Sequence, residues 1–175
     1  VLDLKRLNML PDNARILIVG AGGAAQGIVQ PLLNAGAEQI TLANRHAAKA
    51  VKIAAKFASS SKVNAVSLNT LNEGKAAHLA RHHYAKSFDL VINATSSSLQ
   101  HMLPPLEPLI LQRAGAAYDL MYTPQGGTIF TRCCTELGLK HCADGIGMLI
   151  AQAALSLELW TGQRTDIAQA IAYLQ

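Results

Sequence analysis

The segment from Arg15 to Gly27, RILIVGAGGAAQG, limits the chain's folding options more than any other stretch. It opens with a short run of mostly branched apolar residues and no polar alternation, the pattern of a parallel strand covered on both faces. Gly20, Gly22 and Gly23 follow at once. A helical pattern comes next, with Ile28, Val29, Leu32 and Leu33 on one face and Gly36 as its stop. Pro31 inside it implies a kink or an early-turn position. Such a strand, turn and helix suit a phosphate. Gly20 allows the tight turn, and Gly22 removes a side chain where a pyrophosphate would approach. The helix start at Gly23 and Ala24 offers free amides and the positive end of the helix dipole. Ala25 stands where a third glycine is usual, a tolerated exchange, and Gly27 suits close helix–strand packing. No Gly-Lys-Ser/Thr ending follows, so the turn is not of the nucleoside-triphosphate type. The competing reading is a flexible turn in an unrelated fold.

The alternation continues along the chain. Strands are expected at Gln39 to Ala43, Val63 to Leu68, Phe88 to Asn93, Ala116 to Leu120 and Leu139 to Cys142. Helices are expected at His46 to Phe57, near Leu109 after a proline-marked loop, and at Thr128 to Leu137, Gly147 to Trp160 and Asp166 to Leu174. Leu71 to Tyr84 reads as helical or partly irregular. Strands alternating with helices imply an α/β fold, a doubly wound, mostly parallel sheet of the Rossmann-like kind. The 175 residues suffice for one well-buried domain. The expected division is a linker or helix remnant over residues 1–14, a dinucleotide-binding domain over 15–160 and a terminal helical segment over 161–175. The chain starts at Val1 and reads like a piece of a longer protein.

Half of the residues are apolar and 15% are charged, which argues against a disordered chain. The net charge of +4 is scattered rather than gathered into a run, so it fits an anionic small ligand and not nucleic acid. No stretch has the length and apolarity of a membrane span, and no signal peptide is evident. Cys133, Cys134 and Cys142 match neither a zinc site nor a Cys-x-x-Cys motif, so buried, reduced thiols in a cytoplasmic protein are expected. No metal site is expected, and oligomeric state, monomer or homodimer, stays open.

The end of the second strand bears on which dinucleotide fits. A plain NAD site places an acid about 20 residues past the glycines, to accept from the ribose hydroxyls. Here the chain reads Thr41-Leu42-Ala43-Asn44-Arg45-His46, without an acid. Arg45 can pair with a 2′-phosphate or stack on adenine, and Lys49, one helical turn on, can face the same anion. Asn44 can bond a ribose hydroxyl or the phosphate, and His46 makes at most a peripheral contact. The alternative is a pair of solvated cations near a helix start, where the dipole disfavours them. NADP(H) is therefore the expected cofactor.

Ligands of open parallel sheets collect beyond the carboxyl ends of the strands, so the glycine turn and the loops at Asn44, Asn93 and Met121 are expected to converge. Asn93, Ala94, Thr95 and Ser96 permit close passage of a ribose and nicotinamide, or form an ordinary Ser/Thr cap. Asp119 can hold loop amides, Met121 can pack on a nicotinamide, and Tyr122 can offer a hydroxyl to a substrate. Asp144 resembles an N-cap, and Gly145 allows a close backbone approach. Gln152 is a polar residue in an apolar helix, either exposed or specific. No histidine or acid stands out as a proton donor for redox chemistry, so no catalytic residue is assigned within the chain.

These residues, taken in order, resemble the C-terminal, NADP-binding half of shikimate dehydrogenase of the bacterial biosynthetic type. The match runs from about Leu7 to the end. It rests on the glycine turn; Asn44-Arg45 with Lys49, where His46 replaces the usual Thr or Ser; Asn93 to Ser97; Tyr118 to Tyr122; Asp144 to Leu149 with Gln152-Ala153-Ala154; and Glu158 to Gly162. The resemblance implies reversible NADPH-dependent reduction of 3-dehydroshikimate to shikimate, on the chorismate route to aromatic amino acids. It implies that Tyr122 and Gln152 contact substrate, that Met121 and Gly145 lie beside the nicotinamide, and that Arg45 and Lys49 hold the 2′-phosphate. It also implies that the catalytic Lys–Asp pair belongs to an N-terminal domain without counterpart here, against which the last helix would pack. These residues alone are then expected to bind NADP(H) without turnover. Three alternatives remain: a quinate/shikimate dehydrogenase paralogue; the NADP domain of glutamyl-tRNA reductase, which lacks the Gln152 helix pattern; and a non-catalytic NADP-sensing module.

Overall fold

A computed structural model describes residues 1–73, 88–124 and 126–174. The elements, in chain order, begin with α1 (Leu2–Arg6), β1 (Arg15–Val19), α2 (Gly23–Asn34), β2 (Gln39–Asn44) and α3 (Ala47–Ala54), which tightens into a 3₁₀ turn over Ala55–Ser60. Next come β3 (Val63–Ser67), α4 (Leu68–Asn72), β4 (Leu90–Asn93), a 3₁₀ turn at Ser97–Gln100, α5 (Pro108–Gln112) and β5 (Ala116–Asp119). The chain continues through α6 (Ile129–Glu136), β6 (Cys142–Ala143), α7 (Ile146–Thr161) and α8 (Ile167–Leu174).

Among the described residues the sheet has six strands in the order β3-β2-β1-β4-β5-β6, and every pairing is parallel. This is the doubly wound order, with its switch point between β1 and β4. The unbroken apolar run of β1 now has its reason. Ile16 and Ile18 point into the layer shared with α1, α2 and α3, which holds Leu4, Val29, Leu32 and Ile53. Leu17 and Val19 point into the opposite layer, with Leu71, Leu111, Phe130 and Cys134 from α4, α5 and α6. These four β1 side chains, Ile16 through Val19, are fully buried.

Several details differ from the expectations. Pro31 sits in the third turn of α2, on its exposed side, not in its first turn. Gly27 is exposed, and a Cβ there would meet nothing within 4 Å, so it does not serve helix–strand packing. The last strand is confined to Cys142–Ala143, later than expected, because Leu139 belongs to the preceding turn and donates its amide to the Cys134 carbonyl. The helical reading of 71–84 falls largely outside the described residues. The last helix, α8, packs on α7 and buries Ile171. Helix α1 also packs on α7, and its Asp3 carboxylate, only 4% exposed, accepts from the Tyr118 hydroxyl at 2.7 Å and from Arg6 Nε at 2.9 Å. No helix of the described residues is long and apolar enough to cross a membrane.

Candidate functional site: a cationic cavity at the switch point

The glycine turn is pressed against the loop that follows β4. Gly20 has φ of +119°, and a Cβ there would lie 2.7 Å from the Ala94 carbonyl oxygen. Any other residue would meet both left-handed strain and a backbone clash. The contact is fixed from both sides, with the Gly20 amide donating to Ala43 and the Ala94 amide to Val19, each at 2.8 Å. Gly22 caps α2 without a side-chain bond, and no acid occupies the first turn. The first intrahelical bond runs from the Gln26 amide to Gly22. The amides of Gly23 and Ala24 therefore have no acceptor within the helix.

A cavity of ≈ 310 Å³ opens beyond these strand ends. Gly20 and Gly22 form one side of it, Asn44, Arg45, His46 and Lys49 a second, and Ala94, Thr95 and Ser96 a third. Arg45 and Lys49 are exposed and have no carboxylate partner among the described residues. Among the described residues no Asp or Glu lines the cavity. His46 takes the N-cap position of α3 with no side-chain cap bond, while Asn44 Nδ2 donates to the His46 carbonyl at 3.1 Å. Asn44 and the two cations line the open space. A helix start with cations and no acid is electrostatically unfavourable by itself, and an anion reverses the sign. The donor set therefore fits a phosphorylated nucleotide.

Sequence reasoning did not single out Met102, Leu103, Pro104 and Pro105, which form the fourth wall. Their prolines marked a loop, but nothing in their order showed that it would border the same cavity as Arg45.

The loop after β4 is braced from beneath. Asn93 is fully buried, so its side chain does not face the cavity. Its Oδ1 accepts from the Thr95 amide at 3.1 Å and the Thr95 hydroxyl at 2.7 Å. Its Nδ2 donates to Asp119 Oδ1 at 3.1 Å and to Ser98 Oγ at 3.3 Å. Thr95 Oγ1 in turn accepts from the Ser97 amide at 3.2 Å, so this loop does carry a local Ser/Thr turn. Asp119 is equally buried. It also accepts from the Met121 amide at 3.1 Å and from the Ser98 and Thr128 hydroxyls at 2.6 Å each. The reading of Asp119 as a holder of loop amides matches this geometry.

The remaining residues lie elsewhere. Met121 and Gly145 face each other through a 2.9 Å bond from the Gly145 amide to the Met121 carbonyl. Neither lines the cationic cavity, and neither does Tyr122, which is 40% exposed. Gln152 is exposed and borders a separate, mainly apolar cavity of ≈ 330 Å³ between α1, α2 and α7. Three of the loops thus line the cavity, and the loop after β5, though tied to the loop after β4 through Asp119, does not. Asp144 is not the N-cap of α7, which is Gly145. Its carboxylate instead accepts from the Ile146 amide at 3.2 Å and from the Gly127 amide at 2.9 Å.

The family model described as Shikimate / quinate 5-dehydrogenase matches residues 4–103, and that of the Shikimate 5′-dehydrogenase C-terminal domain matches residues 145–172. A curated relative, the shikimate dehydrogenase (NADP(+)) of Pasteurella multocida, is 44% identical over 93% of this chain and 55% of its own length. A crystal structure of an Ael1 enzyme from Pseudomonas putida is 37% identical, with a TM-score of 0.82 over 99% of this chain and 59% of that one. The shikimate 5-dehydrogenase of Thermus thermophilus, solved in complex with NADP(H) and shikimate, is 28% identical, with a TM-score of 0.74 over 99% of this chain and 60% of that one. The chain spans between 55% and 58% of the length of the curated relatives it matches. By its sequence match over more than half its length, the chain belongs to the shikimate / quinate 5-dehydrogenase family.

Proposed function

We propose that this chain is the NADP(H)-binding part of a shikimate dehydrogenase, a cytoplasmic enzyme that interconverts 3-dehydroshikimate and shikimate. The observation that carries the reading is the pair Arg45 and Lys49, unpaired and exposed across the same cavity as the glycine turn. Arg45 would grip the 2′-phosphate through its guanidinium fork while Lys49 supplies a point charge. The amides of Gly23 and Ala24 would hold the pyrophosphate, with Gly20 and Gly22 keeping side chains out of its way. Asn44 and His46 would flank the adenosine ribose, and Ala94, Thr95 and Ser96 would line the path toward the nicotinamide, with Asn93 positioning that loop from below. Met121 and Gly145 would stand beside the nicotinamide ring.

When bound, the nicotinamide supplies or accepts the hydride. The chain's own task is to fix the ring and to present Tyr122 and Gln152 to substrate hydroxyls. The proton is exchanged by a Lys–Asp pair contributed from outside these residues, in a substrate-binding domain that is the principal partner of this one.

The test is shikimate-dependent reduction of NADP⁺ by the protein at its native length, with quinate and NAD⁺ as parallel arms. Shikimate with NADP⁺ is the expected productive pair. Residues 1–175 alone are expected to bind NADP(H) and to give no shikimate-dependent rate; turnover by these residues alone would contradict the assignment of the proton relay.

A further inference from the structure

The spacing of Cys134 and Cys142 matches no redox motif, yet the fold packs both residues on one apolar layer. Cys134 lies on the inward face of α6, fully buried in the apolar layer beneath the sheet. The chain turns at Gly138, where φ is +94°, and is pinned by the 3.0 Å bond from the Leu139 amide to the Cys134 carbonyl. It then returns along the sheet edge as β6, where Cys142 pairs in parallel with Ala117 and packs on the same apolar layer. The Cys142 Sγ donates to the Leu139 carbonyl at 3.6 Å, and its side chain packs on the layer that holds Cys134.

The two thiols differ in access. Cys134 has no exposure, whereas Cys142 is half-buried and borders a cavity of ≈ 600 Å³ with Gly127, Thr131 and Asp144. Cys142 is thus the more accessible residue of the two. Hydrogen bonding from Cys134 lowers the Cys142 thiol to about 7 against the opposing effect of burial, with Thr135 contributing. Burial, and the nearby Glu136, raise the Cys133 thiol, which makes it the poorer nucleophile.

We propose that Cys142 and Cys134 form a peroxide-oxidisable pair that closes an intramolecular disulfide between α6 and β6. The Cys142 thiolate attacks one oxygen of hydrogen peroxide. A sulfur–oxygen bond forms, the oxygen–oxygen bond breaks, and the departing hydroxide takes a proton to become water. Cys142 is left as a sulfenic acid, its sulfur oxidised by two electrons as the peroxide is reduced. The Cys134 sulfur then attacks the Cys142 sulfur. The disulfide forms, the sulfur–oxygen bond breaks, and the proton from Cys134 leaves with the hydroxyl as a second water. Two thiols and one peroxide thus give one disulfide and two waters, and a dithiol reductant reverses the change. The closed bridge would tie α6, whose Thr128 cap holds Asp119, to the strand that leads directly into Asp144 and α7.

The experiment is a peptide map of the native-length protein after hydrogen peroxide and alkylation of the remaining thiols. The expected product is a Cys134–Cys142 cross-linked peptide that dithiothreitol dissolves, with Cys133 still open to alkylation. The proposal is overturned if Cys142 proceeds to sulfinic acid without a cross-link, if the link involves Cys133, or if all three thiols survive. The wild-type map decides the matter on its own. Two variants sharpen it: Cys134→Ala should trap a Cys142 sulfenic acid that dimedone labels, and Cys133→Ser should leave the cross-link unchanged. An unlabelled Cys142 in the first, or a lost cross-link in the second, would count against the pair.

Discussion

Asn93 and Asp119, in register at the ends of β4 and β5, share a 3.1 Å hydrogen bond with neither side chain exposed to solvent. Asp119 also gathers Ser98, Thr128 and the Met121 amide, so one carboxylate fixes the loop after β4, the loop after β5 and the start of α6. Replacing it with alanine leaves several buried donors without an acceptor, each costing about 1–3 kcal/mol. Asp119→Ala should lower unfolding stability by at least about 3 kcal/mol in urea titrations. Asp119→Asn, which keeps one good acceptor, should lose less. Equal losses would mean that volume, not the carboxylate, holds the loops.

The Tyr118–Asp3 bond joins α1 to the sheet across 115 residues of chain. Burial, the hydrogen bond to Asp3 and the Asp3 charge raise the Tyr118 phenol well above its ordinary value of about 10. Above that value the unfolded chain releases the phenolic proton while the folded chain keeps it. This contribution to stability is therefore intact below pH of about 10 and declines as the pH rises beyond it. Tyr118→Phe should cost about 1.5–3 kcal/mol near neutral pH, as a hydrogen bond to a charged group is lost. It should also flatten the alkaline fall in stability. Thermal unfolding scans of both proteins from neutral to strongly alkaline pH check both effects, and an unchanged alkaline limb would contradict the role given to this phenol.

Among the three cysteines, Cys142 should react first. Its thiol is lowered to about 7, while Cys133 and Cys134 are raised. Because the thiolate is the nucleophile, iodoacetamide labelling of Cys142 should level off above neutrality and fall about tenfold per pH unit on the acid side. Mass mapping after brief exposure reads the order directly, and labelling of Cys133 ahead of Cys142 would be the contrary result.

Lys49 offers the cleaner probe of the cationic wall, since Arg45 can also stack on adenine. Lys49→Ala should weaken NADPH binding by about tenfold, from the loss of one charge-assisted contact of about 1.5 kcal/mol, and leave NADH nearly unaffected. Arg45→Ala should weaken NADPH more strongly and NADH slightly. Fluorescence titration of each variant with both nucleotides separates the two contributions, and a Lys49→Ala variant that loses both nucleotides equally would point to a structural role.

The sequence made the sheet legible because buried parallel strands are apolar on both faces, as Ile16, Leu17, Ile18 and Val19 are. The glycine turn and the cations after β2 were legible for a related reason, since each has a fixed spacing from a strand end. What spacing does not encode is register between distant strands. Nothing in the chain order tells that Asn93 turns inward to Asp119 rather than outward to a ligand, or that Asp3 meets Tyr118. The edge strand β6 was misplaced because Leu139 is buried by a turn, and apolar character alone does not separate the two cases. Gly27 shows the reverse error, a glycine whose missing side chain leaves only open space.

The central claim is that the wall formed by Arg45 and Lys49 selects a dinucleotide carrying a 2′-phosphate. Parallel calorimetric titrations of NADP⁺ and NAD⁺ into the protein test it most directly. The account predicts that NADP⁺ binds at least about tenfold more tightly, a difference of about 1.4 kcal/mol, and that added salt narrows the gap. Equal affinity for the two nucleotides, or a preference for NAD⁺, would contradict it.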